Sequence, residues 1–556
     1  MHQSVVDRLG RLAPDQRAAA TAPPGPVLCV APAGSGKTTT LVARVAWLVD
    51  CGTSPGSICL VAFNKRAADE LVERLDAALE PLDVAAGAVR VRTFHALGRE
   101  ILADAGVAVE PLIDRDALLR DLYPTATRAD RGRLDLAFSR LKLDLRIGWE
   151  QVATDPAPGP VASAYVAYGR AVAETGGLDF DDLVVRALGL LDADDRLLAR
   201  WRARTTTLLV DEAQDLDRTQ LELALLLAAP GNEVMFVGDD DQSIYGWRLA
   251  DVRRVLGLAA DLPGLRRVDL STNYRCPRSV VERAVRLVEH NRERFAKRIV
   301  AGPAAAGRLV LASDGADDLV RIMRAMTTWP DDGSTRAVLA RTNRELLVAV
   351  VAAVELGVPF RAPDIALPIE DERLDALLDR AAADSPPHVP PLLALGRLRA
   401  VVRAEAEAAL DADGAGPEPE PDPADGPTPA DLVTAMLGWA PTARDIETLR
   451  GAIAVRRERL AALRRDDAAL TLATAHGTKG LEWDHVLVLA DGFPGRRSIS
   501  DATEPERSLE EERRLAYVAW TRARRSLTLL YDPAAPSRFL LEGFDAEELG
   551  LVPAAA

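Results

Sequence analysis

The ten residues APAGSGKTTT, from Ala31 to Thr40, combine glycine, lysine and hydroxyl side chains in an order suited to holding a chain of phosphates. Glycine lets consecutive backbone N–H groups close around phosphate oxygens with no Cβ in the way. In such a loop Ala33, Gly34, Ser35 and Gly36 form the cradle, Lys37 supplies a point charge for the β and γ phosphates, and the Thr38 hydroxyl is placed to ligate Mg²⁺, with Thr39 beside it. Ala31 stands where the usual GxxxxGK[ST] pattern has its first glycine. A plain glycine-rich turn is the alternative. Context favours phosphate, because the apolar run PVLCVAP precedes the loop and a helix-period stretch follows it. A second apolar run ends in VDEAQD, Val210 to Asp215, which offers Asp211 as a partner for Mg²⁺ and Glu212 as a base for an attacking water. An acidic pair at a strand end can equally be a helix N-cap.

These groups need a scaffold that brings them together. Short β-branched runs (PVLCVAP, SICLVAF, TTLLVDEAQD, EVMFVGD) alternate with helix-period stretches, and the rhythm returns with GRLVLAS, RAVLART, LTLATAH, HVLVLAD and SLTLLYD. That pattern predicts two α/β lobes, each a parallel sheet wrapped by helices. The first lobe is expected over 1–95 and 178–270, interrupted by a helical insertion at 96–177; the second over 271–363 and 466–545, interrupted at 364–465; residues 546–556 form a tail. The second insertion is short and contains DADGAGPEPEPDPADGPTP, whose Pro, Gly and acid content reads as a linker.

At 556 residues the chain is too long for one core. With 48% hydrophobic and 27% charged residues it has an ordinary globular composition. No apolar run is long enough to cross a bilayer, and MHQSVVDRLGRLAPDQRAAA has no apolar signal core, so no membrane partner and a cytoplasmic location are expected. Cys29, Cys51, Cys59 and Cys276 make no CxxC pair; the first three lie in or near strand-like segments, where small buried residues are expected, and neither zinc nor disulfides are indicated. A net charge of −16 opposes a nucleic-acid partner, although a local basic groove can coexist with an acidic total. Of the five lysines, Lys37, Lys65 and Lys479 fall in motifs, which suggests that those sites need a compact ammonium, while Lys142 and Lys297 fall outside.

Nine segments then carry a resemblance. QRAAA with Gln16, APAGSGKT, AFNKRAADEL, TFHAL, VDEAQD, VGDDDQSIYGWR, NYRCP, TAHGTKGLEWD and EERRLAYVAWTRAR occur in the order found in the UvrD/Rep/PcrA branch of superfamily 1 helicases. The chain resembles that family across both lobes, which implies two RecA-like P-loop lobes and ATP with Mg²⁺ as cofactors. By resemblance Gln16 would read adenine, Tyr274 would stack near the base, Gln242 would sense the γ-phosphate, and Arg275 and Arg522 would act as arginine fingers. Fingers that arrive on lobe closure stabilise transition-state charge selectively; for each arginine a surface salt bridge is the ordinary alternative. Phe63, Asn64, Thr93, Phe94, His95, Tyr245, Trp247 and Arg248 match positions at or beside single-stranded DNA. Flat rings suit that role because every base offers a π-face, although Tyr245 and Trp247 could instead be core residues. His476, Lys479 and Glu482 resemble the segment joining the DNA groove to the nucleotide, with Glu482 on the nucleotide side; a structural histidine is the alternative for His476.

The sequence departs from the family pattern at Thr39, where an arginine is common, and in 364–465, which has no GIG-like duplex-gripping element. The short stretch after PSRFL, from Pro536, leaves no expectation of an appended nuclease. The resemblance implies a 3′-to-5′ DNA helicase acting on single strands and single/double-strand junctions, in repair or recombination and near the nucleoid. Two other readings stay open: a translocase or motor subunit with a partner protein and little unwinding alone, and an ATP-dependent switch. RNA is compatible with the same stacking surfaces.

Overall fold

In this computed structural model the structure describes residues 1–303, 306–313, 316–384, 389–412, 428–495, 499 and 504–551. The acidic Pro-rich linker lies largely outside the described residues, as does the end of the expected tail.

Six strands form the first sheet: β1 (Val27–Val30), β2 (Ile58–Ala62), β3 (Arg90–Thr93), β4 (Thr207–Val210), β5 (Val234–Gly238) and β6 (Arg266–Asp269). All pair in parallel, in the order β3-β2-β4-β5-β1-β6. Their side chains alternate between faces, as the two-residue period of a strand requires. Leu28, Val30, Leu208, Val210 and Phe236 enter one core with the helices Phe94–Asp104 and Phe180–Ala193. Val27, Cys29, Leu60, Leu209 and Val237 enter another on the opposite face. Residues buried on both sides are why these strands read as continuous apolar runs.

The chain leaves this sheet through β7 (Thr272–Asn273), which pairs with β8 (Val300–Ala301). The second sheet comprises β9 (Arg308–Ser313), β10 (Arg336–Ala340), β11 (Phe360–Arg361), β12 (Leu470–Thr474), β13 (Trp483–Leu489) and β14 (Ala523–Tyr531), again all parallel, in the order β11-β12-β10-β13-β14-β9. The nine expected strands are present. The Arg-rich β3 and β6 and the two-residue β7, β8 and β11 are additions that show no apolar run.

Two helical groups have cores of their own. Leu119, Phe138, Tyr165, Tyr168 and Val172 pack together in one, and Leu374, Leu395, Leu432, Met436 and Ile453 in the other. Phe94–Asp104, at the expected start of the first insertion, packs into the sheet core instead. Leu549, inside the expected tail, joins the second-lobe core, and Tyr531 donates to its carbonyl at 3.0 Å. Cys29 and Cys59 are buried, but Cys51, expected to be buried, is exposed at the C-cap of Lys37–Asp50; all four cysteines are free. Among the described residues no helix is long and apolar enough to cross a membrane.

The first insertion is tied to its lobe by a buried ion cluster. Asp179 caps Phe180–Ala193 and accepts from Lys142 at 2.8 Å, Arg115 at 2.7 Å and the Tyr168 hydroxyl at 2.8 Å. Burial alone would raise the Asp179 carboxyl, but Lys142 and Arg115 hold it well below the usual range. Replacing Lys142 by Ala leaves that carboxylate short of a partner, a loss of about 3–5 kcal/mol for a broken buried pair. Hydrogen exchange is expected to accelerate across 115–175 while β1–β6 stay protected; equal acceleration in the sheet would show that the insertion does not depend on this cluster.

Candidate functional site

Parallel topology assembles the site. The carboxyl ends of adjacent strands β4, β5 and β1 carry VDEAQD, GDDDQ and the glycine-rich loop, the edge where open α/β sheets bind ligands. The β1 loop turns through Gly34 (φ 67°) and Gly36 (φ 84°) into Lys37–Asp50. A Cβ on Gly36 would come within 2.6 Å of the Gln16 amide nitrogen. Gln16 also closes its own helix start, accepting from the Ala13 N–H at 3.0 Å and donating to the Ser35 carbonyl at 2.8 Å. Gln16 therefore props the loop with the same amide expected to read a base.

Lys37 reaches the Ala31 carbonyl at 3.3 Å and Glu212 at 4.0 Å, both loose contacts for an ammonium. The Ser35 hydroxyl is buried without a hydrogen-bond partner. An under-satisfied cation, an orphaned hydroxyl and left-handed glycines at a helix N-terminus fit a polyphosphate anion. Thr38 lies inside the helix start, half-buried, and Thr39 is exposed. Among the described residues no group of three or more His, Cys, Asp or Glu could hold a metal by itself. Asp211 and Thr38 are the residues that would hold a Mg²⁺ arriving with phosphate.

Glu212 sits in the left-handed region (φ 52°, ψ 44°), a strained position for a non-glycine residue. Burial, then its Glu212 neighbour, pushes the Asp211 carboxyl upward. Burial also acts to raise Glu212, but Lys37 and Lys479 outweigh it and hold Glu212 below its usual range, charged and able to accept a proton. Gln214 donates to Glu212 at 2.5 Å and accepts from the Asp239 N–H at 2.9 Å, linking the β4 and β5 loops.

The second lobe reaches into this site. Arg522, 1% exposed, donates to Gln242 at 3.0 Å and to the Leu481 and Val518 carbonyls. Burial, then nearby Arg275, lowers its guanidinium to about 10, still charged at neutral pH. Arg275 donates to Glu482 at 2.5 Å and to the Thr521 carbonyl at 3.3 Å. Tyr274 is half exposed, and its N–H donates to the Gly34 carbonyl at 2.8 Å. Lys479 pairs with Asp215, donates to the Gln242 carbonyl at 3.1 Å and lies 3.7 Å from Glu212.

Beside the carboxylates runs an open cleft of about 1420 Å³ lined by Phe63, His95, Phe180, Tyr245 and Trp247 among others. Phe63 stacks on Tyr245 at 5.1 Å, Tyr245 meets Trp247 edge-on at 6.1 Å, and Arg248 lies 4.6 Å over Trp247. Trp247 is 51% exposed, so it is not a core residue. Asn64 and Thr93 spend their side-chain oxygens as N-caps, at 2.9 and 3.2 Å. Phe94 borders the cleft but is 5% exposed and packs in the core. Burial, then Arg341, lowers the His476 imidazole to about 4, leaving a neutral ring, and the His476 backbone carbonyl accepts from the Tyr245 hydroxyl at 3.4 Å. Phe180 went unrecognised; it is 57% exposed and meets His95 edge-on at 5.7 Å. LDFDD, at the start of the expected return to the first lobe, carries no aromatic signal beyond the ring itself.

With this geometry in view, comparison with known proteins is direct. The UvrD/REP helicase N-terminal domain profile matches residues 12–263 and the UvrD-like helicase C-terminal domain profile matches 441–533. With both halves matched in order, the chain belongs to the UvrD/REP helicase family. DNA helicase II of Salmonella typhimurium is 33% identical over 367 residues, covering 62% of this chain and 50% of that protein; DNA helicase II of Escherichia coli is 33% identical over 365, with the same coverage. ATP-dependent DNA helicase PcrA of Leuconostoc citreum is 34% identical over 290 residues, covering 50% of this chain and 38% of that protein. The chain thus spans about half the length of the curated relatives it matches.

The phosphate loop is also a lobe contact. A Cβ on Gly34 would lie 2.7 Å from Arg275 Cβ and 2.8 Å from Asn273 Oδ1, at a φ that itself costs a side chain about 1–3 kcal/mol. Gly34→Ala is expected to loosen 272–276 first, seen as faster exchange of the Tyr274 N–H. Unchanged protection there would mean that the loop and the crossing strand do not bear on each other.

Proposed function

We propose that the chain is an ATP-dependent DNA motor, a helicase moving 3′ to 5′ on single-stranded DNA, with Mg²⁺-ATP hydrolysed between its two lobes. The observation that carries this reading is the reach of Arg522 from the second lobe to Gln242 on the first, beside a strained, negatively charged Glu212. When bound, Mg²⁺-ATP supplies the phosphoanhydride to be cleaved. Glu212 would orient a water and take its proton; Lys37, Arg275 and Arg522 would face the developing charge. Cleavage would alter the charge that draws the lobes together, and relative lobe motion would carry a strand past Phe63, Tyr245, Trp247 and Phe180. The family and the names of the similar helicases support DNA as the track and repair or recombination as the setting.

Steady-state ATP turnover with and without single-stranded DNA tests the motor. Strong stimulation is expected in the wild type. Glu212→Gln is expected to lower kcat by about 10²–10⁴-fold, the scale of a lost general base, and Lys37→Ala to abolish turnover. Trp247→Ala is expected to raise the DNA concentration for half-maximal stimulation by roughly 5–150-fold, the scale of one lost stacking contact. Turnover indifferent to DNA would leave a nucleotide switch in place of a motor. Strand displacement from 3′- and 5′-tailed duplexes tests direction: activity confined to 5′ tails would refute it, and robust DNA-stimulated turnover without displacement would select the translocase reading.

A further inference from the structure

One helix of the second lobe, Pro505–Trp520, leads to two contacts with the first lobe. Near its middle the Glu511 carboxylate accepts the Gly246 N–H at 2.9 Å. Just past its end Arg522 donates to Gln242 at 3.0 Å. At about 1.5 Å of rise per residue, the contacts sit on one rod roughly 16 Å apart.

Gly246 separates the two rings of the aromatic ladder. The loop around it closes on itself through Arg248 N–H to the Tyr245 carbonyl at 2.8 Å and Leu249 N–H to the Gly246 carbonyl at 3.0 Å. The Gly246 N–H points the other way, toward the second lobe. Contact there is close: a Cβ on Gly246 would lie 2.5 Å from Glu511 Oε2 and 3.0 Å from its Cδ. Gly246 has no left-handed φ to require glycine, and a side chain there would have to push the Glu511 carboxylate aside.

The charge of Glu511 is a poor choice beside a phosphate-bearing strand, where an acid repels the ligand. That cost makes sense if the carboxylate holds something in place. Its neighbours on the helix serve docking within the second lobe and the segment after Arg278–Val288: Glu510 accepts the Arg292 and Glu293 N–H groups, Glu512 pairs with Arg341, and Arg513 holds Asn291 and Glu542. Glu511 is the member of this run directed at the aromatic loop. The helix end is equally anchored, because Thr521 and Arg522 are buried and Arg522 fills its donors with Val518, Leu481 and Gln242.

We propose that Glu511 is a positioning residue that makes the placement of the Tyr245–Trp247 loop depend on the helix delivering Arg522, so that affinity for single-stranded DNA follows nucleotide state through this contact. The inference rests on the motor reading above and adds to it a route by which the two sites sense each other.

Anisotropy of a fluorescent oligo(dT) on the full chain, without nucleotide and with Mg²⁺ and a non-hydrolysable ATP analogue, reads this route as a ratio of two Kd values. The wild-type ratio is expected to differ from one by about tenfold or more, the lower end of a hydrogen bond to a charged group. Glu511→Ala and Gly246→Ala are expected to bring the ratio within about twofold of one, by removing the acceptor or wedging the loop away from it. Glu511→Gln keeps an oxygen acceptor and should keep the ratio. A wild-type ratio retained in both Ala variants would overturn the inference, as would loss of the ratio in Glu511→Gln, which would make charge and not the hydrogen bond responsible. Should Glu511→Ala fold poorly, Gly246→Ala decides alone. A wild type whose turnover responds to DNA but whose DNA affinity ignores the analogue also overturns it. A wild type whose turnover ignores DNA defeats the motor reading itself, and the inference with it.

Discussion

An ammonium with no exposed surface holds the two lobes in register. Lys297 lies 2.9 Å from Asp239 and 2.8 Å from Asp241, and also pairs with Asp240. Taking an ion out of water costs several kcal/mol, and that cost is offset here by three carboxylates together with Arg294, which donates twice to Asp241 at 3.0 and 2.8 Å. Burial opposes the charge on Lys297, yet the aspartates outweigh it and raise the ammonium above its usual range. The aspartates follow β5; Lys297 and Arg294 follow the helix Arg278–Val288. Each side is an uncompensated buried charge without the other. Asp239 accepts from Gln242 at 2.6 Å in the same cluster, so the docking of the lobes and the placement of Gln242 are one hydrogen-bonded unit.

How much of this was legible in the sequence follows from what each residue buries. Strands apolar on both faces announce themselves, and the loops at their carboxyl ends carry Lys37, Asp211 and Glu212, which the parallel topology brings to one edge. The edge strands β3 and β6 carry arginines and lie half-open, so no apolar run marks them. Lysine scarcity was read as pointing to the three motif lysines. In the structure the buried or nearly buried lysines are Lys37, Lys142, Lys297 and Lys479, whereas Lys65 is exposed at a helix start. A compact ammonium is what a carboxylate pocket can enclose, and that applies to Lys142 and Lys297 outside the motifs as well. Their partners lie 37 to 58 residues away along the chain, a distance over which no spacing rule operates.

The acidic total also has a local explanation. Several arginines of the insertion that line the cleft are already paired: Arg115 meets Asp135, Asp179 and Asp181, Arg120 and Arg131 meet Asp116, and Arg133 meets Asp130. Aspartates and arginines both line the cleft, together with a set of rings. Such a cleft would favour bases over backbone, which reconciles a net charge of −16 with the proposed nucleic-acid track.

Lys479 brings the two halves of the site together at one atom. Its ammonium lies 5.7 Å from the Phe63 ring and 5.3 Å from the Tyr245 ring, within cation–π range, while pairing with Asp215 and approaching Glu212. Burial raises Asp215 to about 7 although Lys479 opposes it, so a cation from the other lobe keeps this carboxyl from rising further. Any displacement of Lys479 therefore changes the electrostatic surroundings of Glu212 and the face offered by two stacking rings together. Lys297 and Arg522 also cross between lobes, and both land within the β5 loop that ends in Trp247. A loop gripped at so many points by the other lobe cannot keep its shape when the lobes shift, and a strand resting on its rings would feel each such shift directly.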